Sequence, residues 1–359
     1  MNKKIVFVLL ALGGQLSVMA TPLRNLDTEE LSDSSKVIDL DEVVVVSQPK
    51  EQVRLRLQPV SSNVFGSEQL QQLHVHDLSQ LSQYVPSFVM PSYGSRLTSS
   101  MYVRGIGSRI NNPAVGVYYD NIPLMSKSAF NNHFYMLDRV DVLRGPQGSL
   151  YGQNTEGGLV RIYSKNPMNY QGTDIRLGIG TGLYSNVEVA HYHRPSEKLA
   201  FSVAGFYSGL KGFINNQNFD QKNDLTNEAG GKLRLIWQPN KQLKFDWTAD
   251  YQYVNQNGFG YGEFQPFEWS SVKPYTMKPD DPATTIMNGY KRNMFTTGLN
   301  IGYETESLLF TSTTSYQYLN DLMLMDQDYM TGDYLQLRQA QKMNAIPVKR
   351  LTTEEVFGY

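Results

Sequence analysis

The chain has 359 residues, a formal net charge of −2 and no cysteine. The near-neutral balance gives no electrostatic basis for binding nucleic acid. The missing thiols exclude a disulfide framework, a thiolate metal site, a cysteine nucleophile and a lipidated N-terminal cysteine. Charged residues make up 18% and aromatics 12%, with 29 Gly and 23 Tyr, a mixture that suits glycine-rich β structure more than helices.

Lys3 and Lys4 precede a short apolar run over residues 5–12, and Val18, Met19 and Ala20 offer a small-residue cleavage site before Thr21. Residues 1–20 therefore read as a secretory signal, too short to be a spanning helix. No later segment has the roughly 18 consecutive apolar residues of a spanning helix, so any passage through a membrane must use strands. Residues 21–52 are polar and acidic and read as a flexible arm. Within it, Leu40, Asp41 and Glu42 lead into Val43, Val44, Val45 and Val46. Such a β-branched run favours an extended strand. It suits addition to a partner's sheet edge and the first strand of the next domain equally well.

Residues 53–167 read as a small α+β unit. Ser67 is predicted to cap a helix over 68–73, and Asp77 a second over 78–84 that Pro86 stops. Short strands are expected over 101–104, 115–119, 140–143 and 159–162. Gly145, Gly148, Gly152, Gly157 and Gly158 punctuate the end of the unit, where they permit positive φ or close backbone approach.

Residues 168–359 alternate strictly. Leu243, Phe245, Trp247, Ala249, Tyr251 and Tyr253 share one strand face, against Lys244, Asp246, Thr248, Asp250 and Gln252 on the other. The pattern recurs at Leu233, Leu235 and Trp237 against Lys232 and Arg234, at Ile175, Leu177 and Ile179, and from Phe295 to Tyr303. A soluble sandwich alternates too. Strands of about 10 residues, however, joined by tight turns (194–197, 239–241, 305–307) that take turns with long loops (209–229, 255–291), mark a transmembrane β-barrel. Trp237, Tyr251, Tyr253 and Tyr303 are candidates for interfacial girdles.

The stretch from 53 to 167 resembles the plug domain of the TonB-dependent outer-membrane receptors. Arg104 and Gly105 follow a strand; residues 115–120 read VGVYYD; residues 138–152 read DRVDVLRGPQGSLYG, with Arg144, Gly145, Pro146, Tyr151 and Gly152; Gly157 and Gly158 open the closing strand. Residues 40–46 are similar to the family's TonB box. The resemblance implies an α+β plug followed by antiparallel transmembrane barrel strands. It also implies TonB, with its inner-membrane energising complex, as the partner of residues 40–46, outer-membrane lipid around the strands, and uptake of a ferric siderophore or other iron complex. Tyr93, Arg96, Arg109, Asn111 and Asn112 lie in loops expected at the plug apex. Arginines there suit an anionic chelate, and the same side chains serve equally well as struts to the barrel wall. Arg144 is expected to reach carboxylates of that wall.

Barrels that enclose a plug have about 22 strands, whereas eight leave room only for side chains. The roughly 190 residues after 167 hold seven or eight strands with their loops. The barrel is therefore expected to be incomplete, the chain being the N-terminal part of a longer receptor or a truncated, non-functional one. A carbohydrate or peptide importer of the same architecture stays open, and a surface adhesin or structural barrel is the alternative from another class.

His191 and His193 share a strand face, and His74 and His76 fall in an inter-helix turn, but neither pair has a recognisable third ligand. No metal and no cofactor is assigned. Gly178, Gly180 and Gly182, like Gly258, Gly260 and Gly262, do not open a helix after a buried strand, so no nucleotide loop is read. No catalytic constellation supports an enzyme.

Overall fold

The structure, a computed structural model, describes residues 60–325 except 92–95, 97–98, 110–111, 259–283, 285 and 306, and then residues 349–358. The signal at 1–20, the arm at 21–52 with its motif at 40–46, Tyr93 and Asn111 lie outside the described residues.

The described part of the plug opens with β1 (Ser61–Gly66), α1 (Ser67–Gln72) and α2 (Leu78–Leu81). Asp77 caps α2 as expected: its Oδ1 accepts from the Gln80 amide at 2.8 Å. Ser67 does not cap α1. Gly66 holds the N-cap position without a side-chain bond, and Ser67 Oγ instead accepts from Gln71 Nε2 one turn on. Helix α1 ends in a Schellman turn. His74 takes φ 52°, its amide bonds Gln71 O, and the Val75 amide bonds Leu70 O. Val75 and Leu70 are both buried in the plug core, which is the apolar contact that stabilises such a turn.

A small sheet follows, formed by β2 (Phe88–Val89), β3 (Tyr102–Val103) and β4 (Ile106–Gly107). The strand expected over 101–104 is shorter because Arg104 and Gly105 form the two-residue turn between β3 and β4, both with positive φ. The main plug sheet uses β5 (Val115–Tyr119), β6 (Ile122–Leu124), β7 (Leu137–Arg144) and β8 (Gly158–Ser164) with β1, in the order β1-β7-β8-β5-β6. Only β5 and β8 pair in parallel among these. Val140, Val142, Val160 and Ile162 pack beneath Leu70, Leu78 and Leu81 of the helices. The short helix α3 (Gly148–Tyr151) lies between β7 and β8. Gly145 has φ 135°, and a Cβ on Gly158 would sit 2.5 Å from the Leu143 carbonyl, so these two glycines are required. Gly148 merely begins α3 and needs neither freedom. Arg144 does not reach the wall: its Nη1 donates to the plug carbonyl of Pro86 at 3.0 Å.

The third sheet is an eight-stranded antiparallel meander, β9 to β16 in chain order. Its strands are β9 (Gly172–Gly180), β10 (Tyr184–Ser196), β11 (Leu199–Leu210), β12 (Thr226–Trp237), β13 (Leu243–Asn257), β14 (Gly289–Glu304), β15 (Leu309–Met325) and β16 (Lys349–Gly358). Strands β10 to β15 run 12–17 residues, longer than the expected ten. Among the described residues β9 and β16 do not pair with each other, so this wall is an open sheet.

Its burial is inverted relative to a soluble sheet. Ile175, Leu177 and Ile179 are 64%, 75% and 93% exposed, and Leu235, Trp237, Trp247 and Phe295 also face outward. Lys232, Arg234, Asp246, Thr248, Gln252 and Arg292 are buried. Apolar-out, polar-in alternation is what a lipid-facing barrel strand requires. At the short-turn end Trp237 stacks on Phe245, with ring centroids 5.3 Å apart, and Tyr303 pairs there with Leu243. Tyr251 is no girdle residue at a strand end: it lies well inside β13, donating to Asn293 Oδ1 at 2.8 Å. No helix among the described residues is long and apolar enough to cross a membrane.

Candidate functional site

The polar inner face of the wall is where the plug docks, and its centre is Asp120. Val115–Tyr119 and Ile122–Leu124 form a hairpin whose two central residues, Asp120 (φ 48°) and Asn121 (φ 68°), both adopt the left-handed conformation. Asp and Asn tolerate it best among residues with a side chain. The turn aims the Asp120 carboxylate at β12. Lys232 Nζ pairs with Oδ2, and Arg234 Nη1 stands 3.7 Å from Oδ1. The carboxylate also binds β8, accepting from the Ser164 amide at 2.8 Å and the Ser164 hydroxyl at 2.6 Å. Arg234 is oriented by a bidentate pair with Asp246 at 2.9 and 2.8 Å, and donates to the Ser164 carbonyl at 3.1 Å. Lys232 lies 3.7 Å from the Tyr119 ring centroid. Asn300 of β14 donates to the Asp120 carbonyl at 3.1 Å. Burial alone would raise the Asp120 pKa, but Lys232 and Arg234 hold it well below the ordinary carboxylate range.

Further contacts spread along the interface. Arg292, fully buried, donates to the Ser128 carbonyl and to Asn132 Oδ1 at 2.7 Å. The Tyr135 hydroxyl donates to Asp250, and burial, then that carboxylate, pushes the phenol pKa well above its usual value. Gln317 Oε1 accepts from the Met125 amide at 3.1 Å. Lys165 and Asp174 pair at 2.8 Å. Apolar contact also crosses the boundary: Tyr135 and Met136 of the plug pack with Ala190, Tyr192, Ala204 and Phe206 of the wall. Met294 and Leu319 join the plug core, and Gly298 clears space for Ile122, whose Cδ1 would lie 2.4 Å from an added Cβ.

Of the two roles open to Arg96, ligand contact and strut, its contacts are those of a strut. It is 8% exposed, pairs with Glu228 of β12 and donates to the Asn131 carbonyl at 2.9 Å. Arg109 and Asn112 are exposed, on the loop leading from β4 to β5. Sequence reasoning placed Lys232, Arg234 and Asp250 on the polar strand face but missed Asp120, Tyr135 and Arg292 as their counterparts or companions. The available signal was the Asp-Asn pair between two apolar β runs, together with buried-face charges in a low-charge strand.

The profile of the TonB-dependent receptor plug domain matches residues 54–159. The pesticin receptor of Yersinia pestis is 29% identical over 160 residues, covering 44% of this chain and 22% of that protein. The ferrioxamine receptor of Yersinia enterocolitica is 27% identical, covering 55% and 27%. The vitamin B12 transporter of Vibrio vulnificus is 23% identical, covering 59% and 34%. The chain thus aligns with about a third or less of the length of these curated relatives. Among solved structures, the ferric yersiniabactin uptake receptor of Yersinia pestis superposes with a TM-score of 0.65 at 20% identity, covering 75% of this chain and 42% of that one. The closed form of the ferric-catecholate import receptor of E. coli gives 0.63 at 13% identity, covering 87% and 44%. At these identities the likeness is one of fold.

Proposed function

We propose, for a chain that belongs to the TonB-dependent receptors, that it supplies the plug and a run of wall strands of an outer-membrane importer whose cargo is an iron complex. Relatives named for ferrioxamine and ferric yersiniabactin favour that cargo. The relative named for vitamin B12 keeps other scarce nutrients, including carbohydrates and peptides, as outcomes of the test. The observation that carries the reading is the lock at Asp120. A buried ion pair roughly balances its attraction against the hydration its members regain on opening. A plug held mainly by such contacts separates from its wall at lower cost than one sealed by an apolar seam of equal area.

In this reading the ligand docks on the long-loop side, and Tyr93, Arg109, Asn111 and Asn112 are its contact residues. TonB pairs with residues 40–46 on the opposite side, where Val43, Val44, Val45 and Val46 supply the added strand. A signal over 1–20 delivers the protein to the outer membrane. Two experiments test this. In the full-length protein, Val44→Pro removes a ladder donor and should abolish uptake while ligand binding persists; unchanged uptake would overturn the box assignment. Growth on single iron sources, cobalamin or glycans should depend on the gene for an iron chelate alone. A mature N-terminus at Thr21 in the outer membrane is expected, and Met1 retained in the cytosol contradicts the localisation.

A further inference from the structure

One cluster on the plug–wall boundary is not absorbed by the lock. The Schellman turn after α1 delivers His76 to the plug surface, and the backbone bond from the Phe134 amide to the His76 carbonyl, 2.7 Å, brings His133 beside it. The two imidazoles stack, 5.7 Å apart and 5° from parallel. Glu188 of β10 faces them from the wall, its Oε1 3.1 Å from His133 Nε2. One ligand atom from each of the three lies within 4.8 Å of the others, and this is the one such cluster of three His, Asp or Glu groups among the described residues. We propose that His76, His133 and Glu188 form a binding site for one divalent first-row cation of the zinc class, with two ligands from the plug and one from the wall.

The donor set points to that class. Two imidazoles and one carboxylate suit Zn²⁺, Cu²⁺ or Ni²⁺, whereas Mg²⁺ and Ca²⁺ favour all-oxygen sites. Bonds of about 2.0–2.1 Å require the ligand atoms to draw together by roughly an ångström, within reach of side-chain adjustment at His76, which is only half-buried. The outer partners are in place. Arg176 holds the other carboxylate oxygen, Oε2, at 3.3 Å, and Asn186 donates to Oε1 at 3.0 Å, fixing the carboxylate as ligand supports do. His133 is steadied by stacking on Phe206 at 4.6 Å. A cavity of about 510 Å³ lined by His74, His76, Arg176 and Glu188 gives the entry path. The occupied site ties plug to wall.

The test titrates the full chain in detergent, stripped with chelator, with Zn²⁺ alone by calorimetry. The His191→Ala/His193→Ala background removes the exposed pair, whose rings stand 6.1 Å apart on the outer face. One saturable equivalent is expected, with affinity falling at least tenfold in both His76→Ala and Glu188→Gln. His76→Ala changes a half-exposed side chain, and Glu188→Gln keeps the shape of its partner network, so loss of fold does not masquerade as loss of metal. Zn²⁺ should also slow hydrogen exchange around residues 133–134 and 186–188 together. No saturable binding, or affinity unchanged by both substitutions, overturns the site.

Discussion

The plug and the wall bury opposite things. Inside the plug, Leu78, Leu81, Val103, Val140, Val142 and Val160 are wholly buried and mutually packed. In the wall, Ile179 is 93% exposed while Arg292 has no exposed surface. The first pattern is that of a domain stabilised by water's exclusion from its core. The second is that of a sheet with lipid on one side and a folded domain on the other. The difference teaches that the plug is held together by one kind of force and held in place by another. Its core is mainly apolar, with one buried ion pair of its own between Asp141 and Arg161; its seat is chiefly a lattice of buried charges and hydrogen bonds around Asp120, Arg96, Arg292 and Tyr135.

The sharpest way to break that contrast is in the plug core. Phe130 is 1% exposed within it, and Phe130→Ala should cost about 3–5 kcal/mol, measured as loss of the plug's cooperative unfolding signal. Asp120→Asn should loosen the seat, leaving Lys232 and Arg234 buried with their shared carboxylate gone, a loss of about 3 kcal/mol. Adding Lys232→Met should recover most of it. A double-mutant cycle with strictly additive costs would contradict the lock. Because the Asp120 pKa is depressed in the docked state, its contribution is full above the ordinary carboxylate pKa of 3.8. It declines as pH falls below that value toward the lower docked one, so acid should release the seat before it melts the core. Tyr135→Phe removes one buried donor to Asp250 and should cost about 1 kcal/mol or somewhat more. Arg96→Ala should destabilise docking and leave ligand selectivity alone, whereas Arg109→Ala should do the reverse, read by ligand titration.

How far the sequence carried this account depends on the range of the interaction. The wall was legible because strand periodicity is local. Leu233, Leu235 and Trp237 against Lys232 and Arg234 state the two faces in six residues. The Asp77 cap and the plug strands were legible for the same reason, since each depends on neighbours within a few positions. What failed was the identity of partners. Alternation says that Lys232 faces inward, but not that it meets Asp120, 112 positions away. The sequence set His76 beside His74, whereas the fold groups it with His133 and with Glu188 of the wall. Ser67 misled because a Ser before a helical run caps only when its backbone stays extended, and here Gly66 is the extended residue. For Arg96 the sequence left ligand contact and strut equally open, because the carboxylate that pairs with it, Glu228, is again remote in the chain.

The most direct measurement is hydrogen exchange on the full chain in detergent at neutral pH, wild type against Asp120→Asn. The account predicts faster exchange in residues 119–125 and 128–135, which seat the plug, with protection unchanged in β7 and in α2. Protection lost across the whole plug at once, or unaltered everywhere, would contradict the claim that core and seat are separate.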